Sequence, residues 1–496
     1  MAFIQNFPFF SIILSLFSGS VSSILKGKAA RAVNRVVILI ITAMSAATLL
    51  FTLHTGESYV FKMGHFPAPF GNEIRVGVLE SVMALFFCLI MLLSLWGGQK
   101  HLDEEVESSK LNYYYILTNM MLCSLLALVY TNDLFTAYVF VEINTISACG
   151  LIMIRQTGRT IEAAVRYMIM SLLGSGLLLM GLCMLYDLTG HLLMSNIKEA
   201  VAVLSASGEY HVPLTVTIAL MTVGLAIKSA LFPFHTWVPD AYGYSTASSA
   251  AILSSLVSKG YIFLLIKIIY RVIGFDVYRG SLVTNVVFVF GLAGMIFGSL
   301  SAIKEHDIRR MIAFSSVAQI GYIYMGIGMG TQAGMIAAIF HIFSHAATKS
   351  LLFIAGVGLT DVSGKSKHFA ELTGAAYRNK IAGVAFAAGS LSMVGVPLFS
   401  GFISKLLFAQ AAVQNSGKML PALIVLALST ILNAIYFMKT VIRIYTPVQT
   451  QYETCTFRQQ KLFATAGCLL VVMNVVLGTM SQYLVDFISK GLEMFA

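Results

Sequence analysis

About fourteen apolar stretches, each long enough to cross a lipid bilayer, follow one another along this chain and leave little room for a soluble fold. They fall near 6–25, 33–53, 76–96, 112–131, 134–154, 163–187, 212–232, 247–273, 282–303, 311–329, 332–359, 381–413, 419–445 and 462–485. The twelfth is interrupted. A chain of 496 residues that is 58% hydrophobic and 11% charged cannot cover so much apolar surface with polar surface of its own. Lipid has to cover it. The runs lack the ten-residue alternation of an outer-membrane barrel, so the expected fold is an all-α polytopic membrane protein. The first run has no basic leader and no small-residue cleavage site, and reads as a retained helix.

The formal net charge of +10 points to the membrane and not to nucleic acid, because of where the cations lie. Lys26, Lys28, Arg31 and Arg35 follow the first run, Arg155 and Arg159 the fifth, Lys304, Arg309 and Arg310 the ninth, and Lys365, Lys367, Arg378 and Lys380 the eleventh. Loops after even-numbered runs are poor in them. The positive-inside rule then places the basic loops in the cytoplasm and both termini outside it. Pro67 and Pro69 predict a stiff extracytoplasmic connection after the second run, and the acidic HLDEEVESSK segment (101–110) a solvated cytoplasmic loop or a docking patch for another subunit. Cys88, Cys123, Cys149, Cys183, Cys455 and Cys468 are scattered, mostly inside apolar runs, and read as packing residues, not metal ligands or disulfides.

Several ionisable residues fall inside the runs, where a single lysine costs about 2.5–3.5 kcal/mol even on mild insertion scales. Lys228 lies in the seventh run just before Pro233, and Lys259 in the eighth. Glu142 lies near the middle of the fifth. His341, His345 and Lys349 recur every four residues in the eleventh, which stacks them on one helix face at a spacing of roughly 6 Å. Lys405 follows the Pro397–Gly401 break of the twelfth. Two Pro-interrupted apolar segments, each with a lysine, are the mark of ion sites in inverted-repeat transporters. Lys267, Lys439 and Lys461 read instead as snorkelling side chains. Asp240, Arg309 and Arg310 read as loop anchors, and Asp133 as a helix start.

Five stretches carry a family resemblance: GLAIKSALFPFHTWVPDAY (224–242), the Lys259 helix, DIRRMIAFSSVAQIGY (307–322), HIFSHAATKSLLF (341–353) and VGVPLFSGFISKLLF (394–408). In content and order they resemble the proton-conducting antiporter-like membrane subunits of respiratory complex I, energy-converting membrane-bound hydrogenases and multisubunit Mrp-type Na⁺/H⁺ antiporters. The resemblance covers about 111–410. Within the family the length, the HFPAPFG loop and the lack of a long C-terminal lateral helix look most like the D subunits of Mrp-type antiporters. It implies a fourteen-helix bundle with two inverted five-helix repeats, each containing a broken helix. The implied division is a three-helix scaffold (1–110), a first repeat of helices four to eight (111–275), a second of helices nine to thirteen (276–447) and a last helix (448–496). It further implies a proton pathway through Glu142, Lys228, Lys259, His341, His345, Lys349 and Lys405. Arg166 stands where relatives often carry lysine, with the charge kept.

The residue types suit that chemistry. A carboxylate beside Lys228 favours its charged form, and moving or protonating Glu142 lets the proton pass on to Lys259. Histidine ordinarily changes charge near neutral pH, which suits a relay at His341 and His345. Each has a plainer reading. Glu142 could be a fixed ion-pair partner, His341 could only bond a neighbouring helix, and His235, in the FPFHTW break, could cap a helix in place of lining a route for water. The histidines lack the HExxH pattern and a third ligand, so no metal is expected. Nothing in the chain suggests flavin, nucleotide or iron–sulfur binding, so no cofactor is expected and any redox centre lies in other subunits. The expected partners are other membrane subunits, including a second antiporter-like one, with H⁺ and Na⁺ as ions and a bacterial or archaeal cytoplasmic membrane as the setting. The alternative is a pumping module of an NADH dehydrogenase or hydrogenase.

Overall fold

The computed structural model describes residues 3–66, 71–448, 455 and 460–495, so the Pro67–Pro69 connection lies outside the described residues. Thirteen helices among them are long and apolar enough to cross a membrane. In order these are Ile4–Ile24, Gly27–Thr55, Val78–Gly97, Ser108–Tyr130, Leu134–Met153, Gly158–Thr189, His211–Lys228, Ala247–Ile273, Val283–Lys304, Ile308–Gly328 and Gln332–Asp361, helices one to eleven, then Ser416–Ile444 and Lys461–Thr479, helices thirteen and fourteen. Helix twelve is broken into Lys380–Val394 and Ser400–Val413. The protein is therefore a multi-pass, nearly all-helical membrane protein.

Caps set many of the starts. Asp133 accepts the Thr136 N–H at 2.6 Å, as its sequence position predicts, and Asp307 accepts the amides of Arg309 and Arg310. The fourteenth run, expected to reach 485, stops at Thr479. A separate amphipathic helix, Ser481–Glu493, then packs Leu484, Ile488 and Leu492 against helix three. A further departure is an antiparallel hairpin, Tyr59–Lys62 with Glu73–Val76, between helices two and three.

Helices eight and eleven are buried over 100% of their apolar length and helix ten over 94%, against 33% for helices two and thirteen. Helices eight and eleven carry Lys259, Lys267, His341, His345 and Lys349, so these charges face protein. Helix eight pays for a special geometry with two π turns, Leu253–Val257 and Ile269–Ile273. Helices six and seven touch backbone to backbone at Gly174 and Gly224. A Cβ on Gly224 would stand 2.7 Å from the Gly174 carbonyl oxygen and 2.8 Å from the Leu178 nitrogen. Neither obstacle is a flexible side chain, so Gly224→Ala is expected to destabilise by about 1–3 kcal/mol, read as a lower melting midpoint of the purified protein.

The acidic segment is not a free loop. It contains a short helix, Gln99–Glu105, whose Asp103 pairs with Arg31, Glu104 with Lys365 at 2.9 Å and Glu105 with Arg155 at 3.4 Å. The start of helix two and the loops after helices three, five and eleven are thereby tied together on one face.

Candidate functional site

Helix seven ends on Lys228. The chain passes through Ala230 at φ 66° and resumes as a helix at Val238–Tyr244, so the lysine sits at the break. Its side chain is inaccessible. Nζ donates to Thr145 Oγ1 at 2.8 Å, lies 3.6 Å from Glu142 Oε1 and stands 5.5 Å from the Tyr261 ring centroid. Glu142 also accepts from Ser175 Oγ. The carboxylate is less buried than its position in the run suggests, at 26% exposure, because helix five turns Val139 and Ile146 outward on either side of it. From Thr145 the polar contacts continue to the Tyr261 hydroxyl at 3.3 Å, and from there to Asn144 Oδ1 at 3.1 Å.

Lys259 has no carboxylate partner among the described residues. Its Nζ donates to the Ser254 carbonyl and to Ser258 Oγ at 3.2 Å. The π turn at 253–257 explains the first contact: widening the helix frees a carbonyl that an α-turn would have used. The Ser254 hydroxyl lies 3.0 Å from that of Ser316 on helix ten. The preceding residue, Ser315, accepts from Lys349 Nζ, which also donates to the Ile312 carbonyl at 2.9 Å. Ser315 and Ser316 both donate to the Ile312 carbonyl, so the Lys259 and Lys349 neighbourhoods meet at one turn of helix ten.

The four-residue steps on helix eleven do bring the histidines together. The rings of His341 and His345 stack at 5.7 Å, inclined by 11°, and His341 stacks in turn on Tyr322 at 5.6 Å. His341 Nδ1 shares a proton with Ser404 Oγ of helix twelve at 2.6 Å, while its Nε2 and both nitrogens of His345 have no protein partner among the described residues. Buried polar atoms left open in this way are where ordered water resides. Lys405 is only half-buried. Its Nζ caps the first half of the broken helix through the carbonyls of Val394 at 2.6 Å and Met393 at 3.2 Å. His235 lies in the helix-seven break, stacked on Phe232 at 5.3 Å, with Nδ1 unpartnered.

One expectation fails outright. Lys267 does not snorkel; it is wholly buried, and its Nζ donates to the carbonyls of Thr131, Val129 and Leu128 at 2.6, 2.8 and 3.2 Å. Those are the carbonyls that helix four leaves open at its end, and a buried ammonium satisfies all three. Four residues on, buried Arg271 pairs with Glu80 at 3.5 Å and with Asn132. Glu80, at the start of helix three, is a fully buried carboxylate. Its other oxygen caps Gly77 N–H at 3.0 Å. The signal for it was present: a Gly-x-x-Glu start before an apolar run is a capping pattern. Also unforeseen is Asn474 of helix fourteen, whose Oδ1 accepts from Thr348, Ser400 and Ser392 and so fastens both halves of helix twelve to helix eleven. Arg309 and Arg310 do anchor the break, to the Ser245 carbonyl and to Asp240, which also holds Arg166 at 2.8 Å.

Residues 131–432, more than half of the chain, match the family described as NADH:quinone oxidoreductase/Mrp antiporter, TM. The chain belongs to that family. Every residue of the lysine and histidine series lies within the matched segment. Among curated members, the N component of the NADH-quinone oxidoreductase of Desulforudis audaxviator is 31% identical over 411 residues, 82% of this chain and 79% of that one. The D component of the Na(+)/H(+) antiporter of Alkalihalophilus pseudofirmus is 26% identical over 420 residues, 84% and 82%. Among solved structures, a chain of an archaeal membrane-bound sulfane sulfur reductase superposes with a TM-score of 0.89 at 23% identity, covering 100% of this chain and 98% of that one. A chain of the Mrp complex from Dietzia sp. gives 0.86 at 23% identity, covering 99% and 97%. The family fold is thus present from end to end.

Proposed function

We propose that this chain is the proton-carrying membrane subunit of a multisubunit Mrp-type Na⁺/H⁺ antiporter. Protons move along Glu142, Lys228, Lys259, the His345–His341 pair and Lys349 to Lys405. The observation that carries this reading is the series of buried amines, Lys228, Lys259 and Lys349, of which, among the described residues, only the first has a carboxylate within 4 Å. A charge buried without a counter-ion is costly, and one that can be shed and regained is of use only where protons pass. Sodium prefers carboxylate and carbonyl cages. With Glu142 alone beside the series, the coupled cation crosses in a partner subunit, one of them a second antiporter-like chain.

Two arrangements go with the proposal. Residues 111–275 and 276–447 act as inverted repeats, a division supported by the breaks after Lys228 and Val394. The face where Arg31, Arg155 and Lys365 meet the acidic helix is cytoplasmic, with both termini opposite. A second reading has a specific observation behind it, the 31% identity to a component of a quinone oxidoreductase. It makes the chain a proton-pumping module driven by redox chemistry elsewhere.

Everted vesicles bearing the whole complex decide between them, with Na⁺-induced dissipation of ΔpH followed without redox substrate. Exchange in wild type that is lost in Lys228→Ala is the expected result. Assembled complex without exchange in wild type selects the redox-driven reading, and exchange that survives Lys228→Ala removes Lys228 from the path.

A further inference from the structure

Two adjoining depressions, of about 420 and 480 Å³, open on the basic-loop face where the short helix Val238–Tyr244 ends. Arg159, Tyr244 and Lys367 line both. Arg310 and Lys365 complete the first, and Arg155 the second. Against these five cations the walls hold two carboxylates, and both are engaged. Glu305 pairs with Arg310 at 3.2 Å, and Asp307 accepts the amides of Arg309 and Arg310. Arg155, Arg310 and Lys365 each have a carboxylate partner, whereas Arg159 and Lys367 have none among the described residues.

The cations are gathered around one ring. Arg159, Arg310 and Lys367 stand 5.6, 5.8 and 6.0 Å from the Tyr244 centroid. The ring attracts each of them, but like charges held so close also repel one another. Lys367 registers this. Burial, and then Arg309 beside it, push its ammonium down to about 7, although Nζ donates to the Gly243 carbonyl at 3.0 Å. Arg155 adds a buried Nε with no partner among the described residues. Gly158 brings the positive end of helix six to the same wall, and a Cβ there would meet nothing within 4 Å.

We infer that these depressions bind the phosphate of an anionic phospholipid headgroup from the basic-loop leaflet. A phosphate supplies the negative charge that the site lacks, and its several oxygens can meet Arg159 and Lys367 together. Soluble phosphates share that chemistry, but what adjoins the site favours the membrane as the source. Helix six, from its first turn on, turns Ile161, Val165, Ile169 and Leu173 outward. Its 32 residues extend about 48 Å, against a hydrocarbon core of about 30 Å, so its ends stand among headgroups. A phosphate held at Arg159 would leave its acyl chains along that apolar face. No residue of the proton series lines either depression, so the inference does not rest on the proton-carrying reading.

The test uses the assembled complex in vesicles of phosphatidylcholine doped with phosphatidylglycerol that carries a diazirine near the top of one acyl chain. After illumination, peptide mass spectrometry counts the adducts on residues 158–173. Arg159→Gln combined with Lys367→Gln is expected to lower them at least about tenfold, the effect of losing charge-assisted contacts to the phosphate. Phosphatidylcholine with the same diazirine reports plain exposure to lipid, and is expected to label wild type and variant alike, below the phosphatidylglycerol level of wild type. Phosphatidylglycerol adducts unchanged in the variant overturn the site. So do wild-type adducts no more frequent than those of phosphatidylcholine. Arg159 is exposed, so Arg159→Gln alone takes over, with the same outcomes, should the double variant fail to assemble. Inorganic pyrophosphate added at the basic-loop face separates the two sources of phosphate. Adducts that persist support the lipid, and adducts that it displaces overturn the lipid assignment in favour of a soluble phosphate. No flux is read, so failure here leaves the proton-carrying reading standing.

Discussion

Lys349→Met abolishes proton-coupled exchange while leaving the complex assembled. Lys349 is fully buried and, among the described residues, bonds only to the Ser315 hydroxyl and the Ile312 carbonyl. Methionine fills a similar volume, and exchanging a buried ion for an apolar side chain of that size is often neutral or stabilising. Transport has no such substitute. A proton crossing the gap without a base to hold it meets a desolvation cost of several kcal/mol. That exceeds the roughly 2.7 kcal/mol that corresponds to a hundredfold, so the loss is expected to be at least about a hundredfold. Native-gel assembly and melting midpoint unchanged, with ΔpH dissipation gone, is the expected pair of readings. Exchange within about tenfold of wild type would take Lys349 off the path.

The second large effect is on stability. Glu80→Ala leaves Arg271 buried without its carboxylate and strips the Gly77 amide of its cap. Breaking a buried pair from one side costs about 3–5 kcal/mol, because the remaining charge stays in a dry site. The melting midpoint of the purified complex should fall accordingly. Adding Arg271→Met should recover much of the loss, since the stranded charge goes with it, and a double-mutant cycle measures that recovery. Strictly additive losses would show that the two side chains are not coupled.

What the sequence made legible follows from length and period. The run at 247–273 coincides with helix eight end to end, because twenty-odd apolar residues admit one solution in lipid. The four-residue steps brought His341 and His345 into ring contact for the same local reason. Proline and glycine marked both breaks. What stayed hidden depends on partners far away in the chain. Lys259 and Lys267 sit on one apolar helix eight residues apart and look alike in sequence. Only the fold shows that the second meets the open end of helix four, whose residues lie some 140 positions earlier. The four-residue step from Lys267 to Arg271 was the available hint that these two share a face. Glu142 was placed correctly on its helix but not in depth, since a helix with apolar residues all round gives no sign of which side meets protein.

The sparse carboxylates around Lys259 and Lys349 bear on how many carriers the interior can hold at once. Two unit charges about 10 Å apart at an effective dielectric near 20 repel by about 1.7 kcal/mol, which disfavours double occupancy more than tenfold. On the proposed route, a proton arriving at one amine would therefore hasten departure from the other. Traffic there would be single-file, with arrival and departure locked in alternation, and a line of bases that would otherwise leak would acquire a count.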